Sequence, residues 1–229
     1  MGFFSSILDL VFPPRCVNCG QIGRYFCQNC LPKIRWVELP ICPYCKKNSI
    51  GGTTHPNCVK KFGLDGLSSG FYFEGPIKKA VHKLKYRWVT NLQSELLALT
   101  EASFKKQELG FKDYLLAPTP LFPRKEKERG FNQAKIITDF LSASWKLPTS
   151  LSIKRIKNTK TQAKLSLQDR LENLNEAFYV EGEEFRDREV LVVDDVFTTG
   201  ATMFSLAEVL KKVGAKKVWG LTIARSQSY

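Results

Sequence analysis

One stretch of the chain leaves little choice of fold. Residues 190–202 read Val-Leu-Val-Val-Asp-Asp-Val-Phe-Thr-Thr-Gly-Ala-Thr: an apolar run, two adjacent carboxylates, then small and hydroxylated residues leading into a helical pattern. An apolar run without polar alternation is the mark of a strand covered on both faces, as in a parallel sheet whose crossover helices lie on either side. The turn formed by Val196, Thr198, Thr199, Gly200, Ala201 and Thr202 offers backbone N–H groups and hydroxyls at the positive end of the next helix, which together make a phosphate cradle. Gly200 allows close backbone approach. Asp194 and Asp195, at the carboxyl end of the strand, can accept hydrogen bonds from a vicinal diol such as a ribose presents near its own 5-phosphate. Nucleotide hydrolases and receiver domains also end an apolar strand in acidic residues. The first lacks its partner here, since the chain has no G-x-x-x-x-G-K-[ST] loop, and neither explains Thr-Thr-Gly-Ala-Thr.

The rest of the chain beyond about residue 62 alternates strand-like and helix-like segments, which predicts an α/β layer fold with a largely parallel sheet. Strands are expected at 67–73, 114–117, 177–180, 190–193 and 218–224. Helices are expected behind Gly75-Pro76, near 92–104, at 131–145 and near 203–213, the last stopped by Gly214. Residues 157–169 are polar and read as a loop. Gly66-Leu67-Ser68-Ser69-Gly70 matches the G-x-S-x-G elbow of serine hydrolases, but that elbow must lead into a helix. Strand-like Phe71-Tyr72-Phe73 follows instead, and the only histidines are His55 and His82, so the five residues are expected to form a loop.

All seven cysteines fall before this region, as Cys16-x-x-Cys19, Cys27-x-x-Cys30, Cys42-x-x-Cys45 and His55-x-x-Cys58. A two-residue gap lets a tight turn aim two side chains at one ion, and two such turns complete a tetrahedron. Eight ligands therefore predict two zinc ions, held structurally, because four protein ligands per ion leave no position for substrate or water. A disulfide scaffold fits poorly with an odd cysteine count and no secretion pattern, and a redox dithiol needs only one pair. An iron–sulfur cluster is harder to exclude by spacing, though a mixed thiolate and imidazole set suits zinc better. The pairs are separated by seven residues in the first set and nine in the second, which suits two successive ribbons; a cross-braced pairing uses the same residues. The expected organisation is an N-terminal helix and double zinc ribbon over 1–62 and an α/β domain over 63–229.

Composition is that of a folded protein, and a formal net charge of +13 favours anionic partners without choosing among phosphorylated metabolites, nucleic acid and acidic lipid. The first twelve residues are apolar in flavour but carry Asp9, lack a basic flank and are too short to cross a bilayer. They are expected to form an amphipathic helix whose Phe3, Phe4, Ile7, Leu8 and Val11 pack on the body or touch a membrane surface. The opening Met1-Gly2-Phe3-Phe4-Ser5-Ser6 formally fits a myristoylation pattern of the kind that arises by chance. The expected location is cytoplasmic, with the inner face of the membrane as a peripheral contact.

The thirteen residues 190–202 resemble the phosphoribosyl-diphosphate fingerprint of the type I phosphoribosyltransferases. More narrowly, the chain resembles the ComF (ComFC) competence proteins, which join a double zinc ribbon to such a domain. The likeness rests on Phe12-Pro13-Pro14-Arg15-Cys16, Leu84-Lys85-Tyr86, Pro118-Thr119-Pro120, Arg129-Gly130-Phe131-Asn132-Gln133-Ala134 and Thr159-Lys160-Thr161-Gln162 with Arg170 and Asn173. The chain departs from the family at His55, where cysteine is usual, and at Lys127, where arginine is usual; lysine lacks the bidentate fork. The resemblance implies binding of phosphoribosyl diphosphate with magnesium, with Asp194 and Asp195 as catalytic residues. It places Lys85, Thr119, Arg124, Lys127, Arg129 and Gln162 around the diphosphate and makes 157–169 a flap over the site. Arg124, Lys127 and Arg129 also read as a solvated charge run interleaved with Glu126 and Glu128. Nothing marks an acceptor. The resemblance equally admits a non-catalytic protein that handles single-stranded DNA during uptake with a competence helicase as partner. Its DNA contacts would come from Lys78, Lys79, Lys83, Lys85 and Arg87, and from Lys154, Arg155, Lys157 and Lys160.

Overall fold

The computed structural model of the chain describes residues 13–86, 90–157 and 177–227, apart from the side chains of residues 85, 86 and 90. The apolar stretch 1–12, the Lys85 side chain, Arg87, Lys160, Gln162, Arg170, Asn173 and the expected flap from residue 158 onward lie outside the described residues.

Four strands, β1 (Gly66–Tyr72), β2 (Leu115–Pro118), β5 (Glu189–Phe197) and β6 (Lys217–Arg225), pair in the order β1-β6-β5-β2, every pairing parallel. A second, antiparallel pair is made by β3 (Ile153–Arg155) and β4 (Phe178–Val180). The helices are α1 (Gly75–Tyr86), α2 (Thr90–Lys106), α3 (Pro123–Arg129), α4 (Gln133–Trp145) and α5 (Ala201–Lys212). None among the described residues is long and apolar enough to cross a membrane.

The apolar run 190–193 behaves as strand alternation requires. Leu191 and Val193 join the core beneath α1, α2 and α4, whereas Val190 and Val192 join the core beneath α5 and the β3–β4 pair. All four are buried. The expected strand 190–193 is shorter than the real one: β5 continues to Phe197 because β6 supplies partners as far as Arg225. Asp194 and Asp195 therefore sit within the ladder.

A second expectation needs correction. The strand expected at 67–73 is β1, and the loop reading of 66–70 gives way to it, every one of those five residues being buried. The two serines are satisfied across the strand pair: Ser69 Oγ meets Thr222 Oγ1 at 2.7 Å, and Trp219 Nε1 donates to Ser68 Oγ at 3.1 Å. Gly66 lies against the Trp219 ring, where an added Cβ would come within 2.2 Å of it.

Both sheet edges are covered, which removes the exposed ladder that invites edge-to-edge association. On β1, Val37 N–H donates to Gly70 O and Tyr72 N–H to Arg35 O, so the end of the N-terminal module runs along the edge. On β2, Leu116 N–H donates to Pro148 O and Ser150 N–H to Leu116 O. Among its described residues the N-terminal module has only short 3-10 turns and isolated bridges, of which Arg15↔Ile22 and Ile41↔Asn48 each close a hairpin around one Cys-x-x-Cys pair.

Candidate functional site

At the carboxyl end of β5 the chain turns through Thr198 and Thr199 to Gly200, which has φ +91° and precedes α5. A side chain at 200 would meet both the conformational penalty of the left-handed region and the rings of Phe204 and Phe197, at 2.6 and 2.8 Å. The first N–H groups of α5 have no intrahelical acceptor, and Ala201 N–H makes only a long, 3.5 Å contact with Thr199 Oγ1. Thr198 is exposed; Thr199 and Thr202 are half-buried beside it. The result is a concave turn of donors at a helix N-terminus, suited to an anion.

Alternation along β5 separates the two carboxylates. Asp195 lines a cavity among α1, α2 and α4, whereas Asp194 interacts electrostatically with Arg155 at the end of β3. Burial pulls the Arg155 guanidinium below its usual range, and the charge of Asp194 opposes that shift. Asp194 Oδ1 also accepts the Asp195 N–H at 2.8 Å.

Beside this strand end lies the loop after β2. Thr119 N–H donates to Val193 O at 2.8 Å, tying the loop to β5, and Thr119 is buried with no hydrogen-bond partner for its Oγ1 among the described residues. Asn132 fixes the loop from below: its Nδ2 donates to Thr119 O at 3.0 Å, while its Oδ1 accepts Ala134 N–H at 2.9 Å and so caps α4.

Within α3, the positions four apart face one way. Arg129 donates to Gln133 Oε1 at 3.1 Å, and Lys125 is half-buried; burial, then Arg155 and Arg129, push its ammonium below the usual range. Arg124 instead pairs with Glu128 at 2.9 Å on the solvent side, and Lys127 is exposed. Of the three cations named from sequence, the structure thus turns Arg129 inward and engages Arg124 outward. Lys125 and Arg155 were missed as members of this basic group. The helical spacing of Lys125 and Arg129 was the available signal, hidden because 123–129 was read as a charge run and not as a helix.

The eight sulfur and nitrogen ligands fall into two sets, Cys16, Cys19, Cys27 and Cys30, and Cys42, Cys45, His55 and Cys58, with the ligand atoms of each set within 4.8 Å of one another. The pairing is sequential. That spacing fits a tetrahedral ion with metal–sulfur bonds of about 2.3 Å. Burial works to raise the Cys16 pKa, yet the backbone N–H groups of Cys19, Cys27 and Asn18 outweigh it and bring the thiol down to about 6, which favours the ligating thiolate. His55 Nε2 meets Asn48 O at 3.0 Å, which leaves Nδ1, 3.3 Å from Cys45 Sγ, aimed at the cluster.

The second set is braced on α5 and the end of β5, either side of the turn at Gly200. The Tyr44 ring stacks on Phe204 of α5 with centroids 4.5 Å apart and planes 7° apart, and Tyr44 Oη accepts Leu64 N–H at 2.8 Å. Lys46 Nζ sits 3.9 Å from the centroid of Phe197 and donates to Pro43 O; burial lowers its pKa to about 8. Between this ribbon and α5 runs a groove of about 860 Å³, lined in part by Lys60, Lys61, Phe62 and Thr199.

A double zinc ribbon joined to a phosphoribosyltransferase-type α/β domain is the class these features define. The sequence matches the family model for the double zinc ribbon domain over residues 7–59 and that for the phosphoribosyl transferase domain over residues 127–228. It is 32% identical over 225 residues to competence protein F of Haemophilus influenzae, covering 92% of this chain and 97% of that protein. It is 27% identical over 209 residues to competence protein ComFC of Bacillus subtilis, covering 87% and 84%. Among solved structures, the glutamine phosphoribosylpyrophosphate amidotransferase of B. subtilis matches 58% of this chain and 26% of its own at 16% identity, with a TM-score of 0.38. The chain belongs to the ComF family of competence proteins.

Asn132 holds both the Thr119 loop and the start of α4, so its loss should be felt in global stability. Asn132→Ala is expected to destabilise the protein by about 1–3 kcal/mol, combining a lost cap with an unpaired buried carbonyl. Urea unfolding of the variant beside the wild type measures it.

Proposed function

We propose that the strand end binds phosphoribosyl diphosphate with magnesium and that the protein acts as a phosphoribosyltransferase. The observation that carries this reading is a juxtaposition: an anion-binding turn and two carboxylates on β5, with the Thr119 loop hydrogen-bonded alongside. In this reading the 5-phosphate occupies the turn of residues 198–202. Asp194 and Asp195 each take a ribose hydroxyl, one from either face of the strand. The diphosphate lies over the Thr119 loop, facing Lys125, Arg129 and Arg155. Lys85 and Gln162 join the site by family resemblance alone.

Magnesium, when bound with the ligand, supplies positive charge to the diphosphate oxygens and orients them toward departure. The residues contribute electrostatics. As the C1–O bond to diphosphate breaks, the electron pair leaves with the diphosphate, where the guanidinium and ammonium groups meet it. The two carboxylates hold the ring through its hydroxyls and lie close to the positive charge that develops at C1. The lone pair of an acceptor then closes on C1, and the acceptor's proton passes to water. No nucleophilic side chain takes part.

We further infer a division of labour in which 1–62 forms a structural zinc module, one ion in each four-ligand set, and 63–229 carries the ligand site. The stacking of Tyr44 on Phe204 supports a bracing role for the second ion. A cytoplasmic location suits a phosphorylated substrate.

A second reading, a protein that binds single-stranded DNA and a competence helicase without turnover, draws on the groove between the second ribbon and α5. There Lys60 lies over Tyr44 and Lys61 over Phe62, the mixture of charge and ring faces that single strands favour. Several cations first considered for DNA are engaged elsewhere: Lys79 donates to Asn18, Lys154 pairs with Glu181 and Arg155 faces Asp194.

Three measurements follow. Metal analysis of protein prepared without chelator should return two zinc ions per chain, and a value near zero would remove the ribbon assignment. Calorimetric titration with phosphoribosyl diphosphate and magnesium should show binding that Asp194→Asn/Asp195→Asn weakens at least about tenfold while the variant stays folded, since two charge-assisted hydrogen bonds become bonds to neutral amide oxygens. No binding by the wild type would make the turn a scaffold only. Single-strand DNA affinity should fall steeply between low and moderate salt if the groove is used, because counterion release dominates such binding; an affinity flat with salt would end that reading.

A further inference from the structure

The two ligand sets are held in place by different means. Around the first, Val17 and Phe26 are buried in the core beneath α1, α2 and α4, and Glu95 of α2 accepts the Tyr25 and Phe26 N–H groups at 3.4 and 3.2 Å. Three of its four ligands, Cys16, Cys27 and Cys30, are buried. Around the second, Ile41 and Tyr44 are the residues of 41–58 that join the core beneath α5. Its ligands are more open: Cys42 is buried, but Cys45 is exposed, His55 and Cys58 are half-buried, and Cys45 and Cys58 line the groove beside α5. A knuckle with so little apolar support depends on its ligand set for its shape.

The turn at Gly200 leans on that knuckle. Tyr44 lies between the ligands Cys42 and Cys45, and Lys46 directly follows Cys45. The Tyr44 ring stacks on Phe204, and the Lys46 ammonium lies 3.9 Å from the centroid of Phe197 and 5.7 Å from that of Phe204. The two phenylalanine rings meet edge to face, 6.2 Å apart, and close on Gly200. Glycine loses more conformational freedom on folding than any other residue, so the left-handed conformation at 200 has to be imposed by what packs on it. Inside the turn, the contact of Ala201 N–H with Thr199 Oγ1 is long, 3.5 Å, and gives little support of its own.

We propose that the second ligand set is a metal-dependent control on the anion site: while it holds zinc, Tyr44 and Lys46 keep Phe204 and Phe197 closed on Gly200, and when a competing chelator withdraws the ion through the groove, the turn loosens and its ligand is released. Tyr44 and Lys46 are then positioning residues for that site, contributed by the zinc module. The first set, packed on α1 and α2, exerts no such control and gives up its ion later. The inference rests on the diphosphate reading above and adds one condition to it, occupancy of one particular set. N–H donors stabilise an anion only while they converge on it, which is why loosening the turn weakens binding. Coupling between two sites on one protein is typically about 5–150-fold in affinity.

The test follows zinc and ligand on the same preparations of the full chain. Zinc is withdrawn with the chromophoric chelator pyridylazoresorcinol, which counts the ions released, and phosphoribosyl diphosphate with magnesium is titrated calorimetrically before withdrawal, after the first ion has left and after zinc is restored. The ions should leave in two phases, with affinity falling about tenfold or more with the first and returning when zinc is added back. Cys45→Ser should bind as the one-ion protein does, whereas Cys19→Ser, which opens the first set instead, should bind as the wild type does. Tyr44→Leu should keep both ions and melt cooperatively yet lose about tenfold in affinity, and Tyr44→Phe, which keeps the stacked ring, should restore it. The leucine variant tests the coupling even if Cys45→Ser fails to fold. Both ions leaving together, affinity unchanged after the first has gone, affinity unchanged in Tyr44→Leu, or equal losses in Cys19→Ser and Cys45→Ser would each overturn the proposal and leave the diphosphate reading standing. If the two-ion wild type does not bind phosphoribosyl diphosphate, that reading fails and the control on it fails too.

Discussion

Everything in this molecule depends on the central position of β5. It is paired on both sides, to β6 along its whole length and to β2 over its first part, and its apolar residues enter both cores. A strand so held has no freedom to slip, because a one-residue shift would exchange its buried faces. The carboxylates, the turn at Gly200 and the start of α5 inherit that rigidity. So does the Thr119 loop, through its bond to Val193. A ligand site built on such an element is set by sheet register and not by loop conformation, which is what close positioning of charge requires.

The zinc-binding module belongs to this same construction. Its 35–37 segment covers the β1 edge, and its second ribbon lays Tyr44 and Lys46 on the aromatic residues that flank the turn at Gly200. The glycine at 200 is held by the same rings, since Phe197 and Phe204 occupy the space its side chain would need. The ribbon, the turn and α5 therefore share one packed contact, and distortion of the second cluster has a short path to the anion site.

Much of this was legible in the sequence because it is written in local terms. Cys-x-x-Cys spacing named the eight ligands while leaving sequential and cross-braced pairing open, and the apolar run with its acidic end located the strand and its turn. Each strand and helix expected beyond the cysteines lay within a few residues of its place, whereas α3 (Pro123–Arg129) and β3 (Ile153–Arg155) had no counterpart among them. What escaped depended on partners far along the chain. The serines in 66–70 looked like loop residues until Thr222 and Trp219 stood opposite them. β5 seemed to stop at Val193 because charged residues follow, but β6 carries the ladder on to Phe197. Lys125 and Arg155 could not be told from other surface cations, since their roles come from α3 facing inward on one side and from β3 ending near Asp194. The Tyr44–Phe204 stack joins residues 160 positions apart and leaves no local trace.

The central claim is that phosphoribosyl diphosphate is bound by the β5 strand end and the loop beside it. Hydrogen exchange read by mass spectrometry, with and without the ligand and magnesium, tests the location directly. The account predicts slowed exchange concentrated in peptides covering 117–120 and 194–204, with the two zinc clusters unchanged. Binding that left those peptides unaltered, or that protected only the groove beside Lys60 and Lys61, would contradict it.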